Sequence, residues 1–199
     1  MSYVGRRVLG GASLTIALAI SFGSVRVTAA RADLVNLNPC NSAQLAQPFA
    51  PWGDLASYEL APGGDFEQSA WTLSGMAQLV PGSEPYEATG AHGSWSLKLP
   101  AGSSAQSPPT CVDAAYPSVR FFIGGTGTVA VSVVAGGIPI PAGIALAGFG
   151  WQPTPVMLTT SAVLAASSNG VAQVSLRITA LTGDPRVDDV YIDPWCRGG

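Results

Sequence analysis

The chain has 199 residues, enough for one domain or at most two. Only 11% of them are charged against 47% hydrophobic, and 24 Gly and 16 Pro exclude long uninterrupted helices through most of the chain. A net charge of −3 argues against nucleic acid, whose phosphates need clustered Lys and Arg, and one Lys and one His leave little for chemistry built on several histidines.

Arg6 and Arg7 form a short basic region, and the run Val8–Val25 has no charge until Arg26. Ala30-Arg31-Ala32 then places small residues at the −3 and −1 positions of a cleavage site before Asp33. This pattern predicts a signal-peptide helix over 1–32 and a secreted product. A cut after Thr28-Ala29-Ala30 and an uncleaved anchor are the alternatives. Cleavage removes Arg6, Arg7, Arg26 and Arg31 and no acid, so 5 basic and 12 acidic residues remain in 167, a net −7. No later apolar run is free of Gly, Pro or polar residues for long enough to span a bilayer, so no membrane segment is expected after cleavage.

Residues 33–57 read as an irregular segment, with one short helical turn over 41–47. From Tyr58 the pattern changes to short strands punctuated by Gly and Pro, which predicts a sandwich over 58–199. Trp95, Leu97 and Leu99 share a face against Ser96 and Lys98. Val119, Phe121 and Ile123 oppose Arg120 and Phe122. Val129, Val131 and Val133 face one way, and Val174, Leu176 and Ile178 face inward against Gln173, Ser175, Arg177 and Thr179. Val187–Ile192 is the last strand. The period of two is that of half-buried strands. Turn signals fall at Pro62-Gly63-Gly64, Pro81-Gly82, Pro100-Ala101-Gly102, Gly124-Gly125, Gly136-Gly137, Ser168-Asn169-Gly170 and Gly183-Asp184-Pro185. The apolar stretch Gly136–Gly150 reads as a hairpin interrupted by Pro139 and Pro141. The fold class expected is all-β: an antiparallel two-sheet β-sandwich, or jelly roll.

Cys40, Cys111 and Cys196 contain no C-x-x-C pair, so neither a thioredoxin-like site nor a zinc knuckle is supported. In an exported chain the default is a disulfide. Of the three single pairings Cys40–Cys111 is favoured. It would close a loop of about 70 residues, a contribution on the order of 4 kcal/mol in the chain-entropy model. Cys196 is then free, or joins two molecules into a dimer.

Pro62-Gly-Gly-Asp-Phe-Glu67, followed by Trp71-Thr-Leu-Ser-Gly75, and the terminal Val187-Asp-Asp-Val-Tyr-Ile-Asp193 resemble the galactose-binding-like jelly roll of many carbohydrate-binding modules, and of small secreted bacterial proteins made of this one domain. The resemblance spans roughly residues 58 to 193 and rests on its two ends. It implies a module that binds carbohydrate. It also implies a structural calcium, with Glu67 and Asp188 as the matching oxygen ligands and Asp65 or Asp189 as substitutes, hard oxygens being what calcium takes. No other cofactor is implied. A carboxylate on an inward face needs a partner in any case, and loop amides would serve Asp188 without a metal.

The ligand-site candidates read from the residues are Arg120, Phe122 and Arg177, which would share one sheet surface if their strands are neighbours, and Tyr86 with His92 in the polar loop 82–94. Trp71, Trp95 and Trp151 read as packed. Catalysis is disfavoured: G-x-S-x-G, H-E-x-x-H and the P-loop are absent, and Glu59, Glu67, Glu84 and Glu87 show no spacing that pairs two of them for glycoside hydrolysis. The alternative is a secreted surface or matrix protein that binds other proteins or itself.

Overall fold

A computed structural model describes residues 44–68, 70–113, 118–159, 162 and 171–193. The chain divides into Met1–Val35 and Asn36–Gly199, and every described residue belongs to the second unit. The expected signal segment, Cys40, Cys196 and the turn at Ser168-Asn169-Gly170 lie outside the described residues. Among the described residues no helix is long and apolar enough to cross a membrane.

The chain forms the all-β architecture that the strand pattern predicts. In order the strands are β1 (Leu45–Ala46), β2 (Tyr58–Leu60), β3 (Thr72–Ser74), β4 (Gln78–Pro81), β5 (Trp95–Lys98), β6 (Ser104–Gln106), β7 (Thr110–Asp113), β8 (Ser118–Ala135), β9 (Ile138–Ala147), β10 (Gln152–Pro153), β11 (Met157–Leu158) and β12 (Val171–Asp193). All ladders are antiparallel. β8 and β12 pair from Ser118↔Asp193 to Val134↔Ser175 and form the spine of the sandwich. β7, β6, β5 and β2 pair with successive stretches of β12, while β9, β10 and β11 pair with β8.

The alternating apolar residues meet in one core. Val119, Phe121, Ile123, Val129, Val131, Val133, Leu176, Ile178, Leu97 and Leu99 are all buried to within 1% exposure. Each such side chain contributes roughly 1.5–3 kcal/mol by leaving water. Trp71 joins this core, its indole N–H donating to the Pro62 carbonyl at 3.1 Å. Trp95 does not: it stands at the first position of β5, past the end of the core, and is 40% exposed.

Two expected turns are not turns. β8 runs unbroken through Gly124-Gly125 and β12 through Gly183-Asp184-Pro185. The glycines serve close approach instead. A Cβ on Gly127 would lie 2.0 Å from the Thr182 carbonyl oxygen, and one on Gly183 would lie 2.4 Å from that of Thr126. Backbones this close, with positive φ at both residues, demand glycine. The Gly136-Gly137 signal does mark a hairpin, and β9 pairs only with β8, so Pro139 and Pro141 sit on an edge strand. In the N-terminal segment a short helical turn lies at Ala50–Trp52; of the turn expected over 41–47, residues 41–43 lie outside the described residues and Leu45–Ala46 pairs with β2.

Candidate functional site

The outer surface of β8 and β12 near Arg120 and Asp188 is covered by two segments, residues 47–57 and the loop 82–94. Each is fastened by a polar knot. Under the first, the Arg120 guanidinium donates from Nη1 to Asp54 Oδ2 at 2.6 Å and from Nε to the Thr154 carbonyl at 2.9 Å. Tyr58 donates its hydroxyl to the same Asp54 oxygen at 2.7 Å, and the guanidinium lies 4.3 Å from the Phe49 ring centroid. Burial opposes the charge of Asp54, but the bonds from Tyr58, Arg120 and the Ala56 amide outweigh it and hold the carboxyl below its ordinary value. Burial, then Asp54, push the Tyr58 phenol up to about 12. Phe49, Tyr58, Phe122 and Tyr191 close a second, aromatic cluster beneath this cover.

The second knot is acidic. Asp188 Oδ2 accepts from the Ser83 hydroxyl at 2.7 Å and the Glu84 amide at 2.9 Å, and Asp188 Oδ1 accepts from the Asp189 amide at 3.0 Å. Glu84 accepts from the amides of Tyr86 and Ala88. The ladder slips between Asp188 and Tyr191, and Asp189 has a φ of 45°, so both aspartates are buried rather than one facing out. Burial pushes the Asp188 carboxyl up to about 7, and Asp189 is raised by burial, then by the charges of Asp188 and Glu84. A proton on Asp188 or Asp189 relieves their mutual repulsion.

Where the two covers meet, aromatic rings reach the surface. Trp52 ends a one-turn helix that starts Ala50-Pro51 and is closed by Gly53 at φ 81°. Its ring lies 4.8 Å from that of Tyr86 at an interplanar angle of 80°. Both rest on the buried Phe122 at 5.4 Å. Trp52 is 39% and Tyr86 43% exposed. The Tyr86 hydroxyl donates to the Trp151 carbonyl at 2.6 Å, and the Arg186 guanidinium lies 5.6 Å from the Trp151 ring centroid. Trp151 in turn packs over Gly124, where a Cβ would sit 3.0 Å from the indole.

The expected sharing of one surface by Arg120, Phe122 and Arg177 is not what the fold gives. Arg120 and Phe122 do lie on the face opposite Phe121, but residues 47–57 and 82–94 bury them, at 7% and 0% exposure. Arg177 pairs with Ser132 and donates to Gln106, far along the spine from Arg120, which neighbours Tyr191. Tyr86 is at the aromatic surface. His92 is exposed and 3.7 Å from Glu87. Glu67 Oε1 accepts from the amides of Ser94 and Trp95 at 2.6 and 2.9 Å, and it shares the space against Gly93 with the Ser83 hydroxyl. Glu67 Oε1 and both Asp188 oxygens are thus met by N–H or O–H donors. Among the described residues no three His, Cys, Asp or Glu side chains are grouped to hold a metal ion. The pair alone does not bring together the side-chain oxygens of a calcium site among the described residues. Cys111 is disulfide-bonded. Trp52 and Arg186 were not singled out by pattern. The one local signal was Pro51-Trp52-Gly53, a tryptophan between two residues that favour turns.

No family model and no curated protein matches the sequence. Solved carbohydrate-binding modules are similar in structure. The C-terminal CBM6 of LamC, a marine laminarinase from Zobellia galactanivorans, has a TM-score of 0.46 at 12% identity, over 63% of this chain and 93% of its own. TmCBM61, solved with β-1,4-galactotriose, has 0.41 at 20%, over 65% and 94%. The module CBM6cm-2 of lichenase 5A from Cellvibrio mixtus, solved with cellotriose, has 0.43 at 14%, over 67% and 94%.

Proposed function

We propose that the protein is a secreted, non-catalytic module that binds carbohydrate on the rings of Trp52 and Tyr86. The observation that carries this reading is the pair itself: two part-exposed rings, mutually perpendicular, fixed from below by Phe122 and from the side by the Tyr86 hydroxyl bond. A pyranose offers an apolar C–H face and a rim of hydroxyls. Rigid aromatic surface with polar groups beside it suits both, and it loses little conformational freedom on binding. The glutamates support a non-catalytic reading. Glu84 and Glu67 hold backbone amides, and Glu87 faces His92. The disulfide at Cys111 supports export, since such bonds persist in oxidising compartments, and Cys40 is the partner we favour.

The test is tryptophan fluorescence titrated with a panel of neutral oligosaccharides. Trp52→Ala is expected to weaken the binding found by at least about tenfold while the melting temperature holds, because a single interface tryptophan often carries 2 kcal/mol or more. Unchanged affinity in Trp52→Ala would remove the platform. A second reading, a surface protein that associates with itself, is favoured by exposed Ile138, Ile144, Leu146 and Phe149 on and beside the edge strand β9. A monomer by sedimentation, with Cys196→Ser unchanged on a non-reducing gel, would dismiss it.

A further inference from the structure

We infer that the sugar taken by this platform carries a carboxylate, received by Arg186. The inference rests on the platform reading above and adds the chemical class of its ligand. Trp52 meets Tyr86 ring to ring, the Tyr86 hydroxyl meets the Trp151 backbone carbonyl, and the Trp151 ring lies against Arg186, so a guanidinium stands two residues' contacts away from the platform. That guanidinium is fixed. Nη2 donates to the Pro81 and Gly82 carbonyls at 2.8 and 2.7 Å, and Nε donates to Ser96 Oγ at 3.1 Å.

All of these acceptors are neutral. No carboxylate forms an ion pair with Arg186 among the described residues, and Nη1 has no hydrogen-bond partner there. Asp184, two residues before it, pairs with Lys98 at 3.3 Å. Arg120, by contrast, is neutralised by Asp54. In a chain with more acids than bases, Arg186 is therefore a positive charge held rigid and left uncompensated beside the proposed site. An anion arriving there finds a donor already oriented and gives up little entropy on contact. A planar carboxylate on the rim of a sugar ring, as in a uronic acid, matches a half-buried guanidinium whose Nη1 has no hydrogen-bond partner among the described residues.

The experiment uses a matched pair: a uronate-bearing oligosaccharide, and the same compound after its carboxyl groups are reduced to primary alcohols. Both are titrated into the protein, Arg186→Gln and Arg186→Lys, with a thermal melt of each variant. The protein is expected to prefer the uronate by about tenfold, the scale of a hydrogen bond to a charged group. The preference should shrink as salt is raised. Arg186→Gln should bring the ratio close to one, and Arg186→Lys should keep part of it. Equal affinity for the two sugars, with both lost in Trp52→Ala, overturns the carboxylate and leaves the platform standing. Binding of neither sugar overturns both. A ratio unchanged in a folded Arg186→Gln assigns the preference elsewhere and overturns the role of Arg186.

Discussion

Asp54 and Asp188 each hold a covering segment against the same two strands, and their carboxyls move in opposite directions. Asp54 shares its oxygen with a guanidinium and a phenol and stays charged. Asp188 has hydroxyl and amide donors but no cation, with Glu84 and Asp189 close by, and it leans towards the proton. Asp188 is fully buried and Asp54 only part-buried, and only Asp54 has a positive charge beside it; both differences favour the ion at Asp54 and the acid at Asp188.

Removing the cation from the first knot should have the largest effect. Arg120→Ala leaves part-buried Asp54 charged with one partner gone, at a cost of about 2–3 kcal/mol, between that of an exposed pair and that of a fully buried one. Urea unfolding should show the midpoint falling with the slope unchanged. A loss below about 1 kcal/mol would mean the pair behaves as a surface contact.

The second knot should reveal itself through pH. The folded value of Asp188, about 7, stands above the unfolded value near 3.8. Between the two the folded state holds a proton that the unfolded state has released. Its stabilising contribution is complete below the lower value and is lost as pH rises towards 7. Asp54 has the reverse sign: its lowered carboxyl contributes above the unfolded value, and the contribution is lost as pH falls through the folded one. Asp188→Asn should therefore flatten the decline in stability between about pH 4 and pH 7, so that wild type loses its advantage over the variant as pH rises. Parallel curves for the two proteins would take the titration away from Asp188.

The smallest effect is expected from calcium. Glu67 Oε1 and both Asp188 oxygens already face N–H or O–H donors, so exchanging calcium for a chelator should move the melting temperature by less than about 1 °C. A larger shift, abolished in Asp188→Asn, would put a cation where a shared proton is drawn here.

The spine of the fold was legible because alternation along Val119–Ile123, Val129–Val133 and Val174–Ile178 is a local property, and burial honours it. The glycines were misread for a physical reason. Gly183 at a turn and Gly183 facing Gly127 across a ladder are the same letter, and only the partner strand tells them apart. Alternation also placed Arg120 and Phe122 on the outer face correctly. It carried no information about residues 47–57 and 82–94, which lie over that face and bury both. Tyr86 was visible as an aromatic in a polar loop. Its companion Trp52 was not, because a single turn around Pro51 has no period to read.

The contact from Ser83 to Asp188 spans 105 positions of sequence, and the rings and charge of the proposed site come from positions 52, 86, 122, 151 and 186. Nothing about this surface is local. During synthesis every upstream part of it waits for β12, the last of the described strands in chain order, to supply Arg186 and the acceptor that grips the loop. Assembly of such distant partners is intrinsically slow. Binding at the proposed site would thus double as a report of completed folding: a nascent or clipped chain lacking β12 has the aromatic residues but lacks Arg186 and the Asp188 acceptor for the loop.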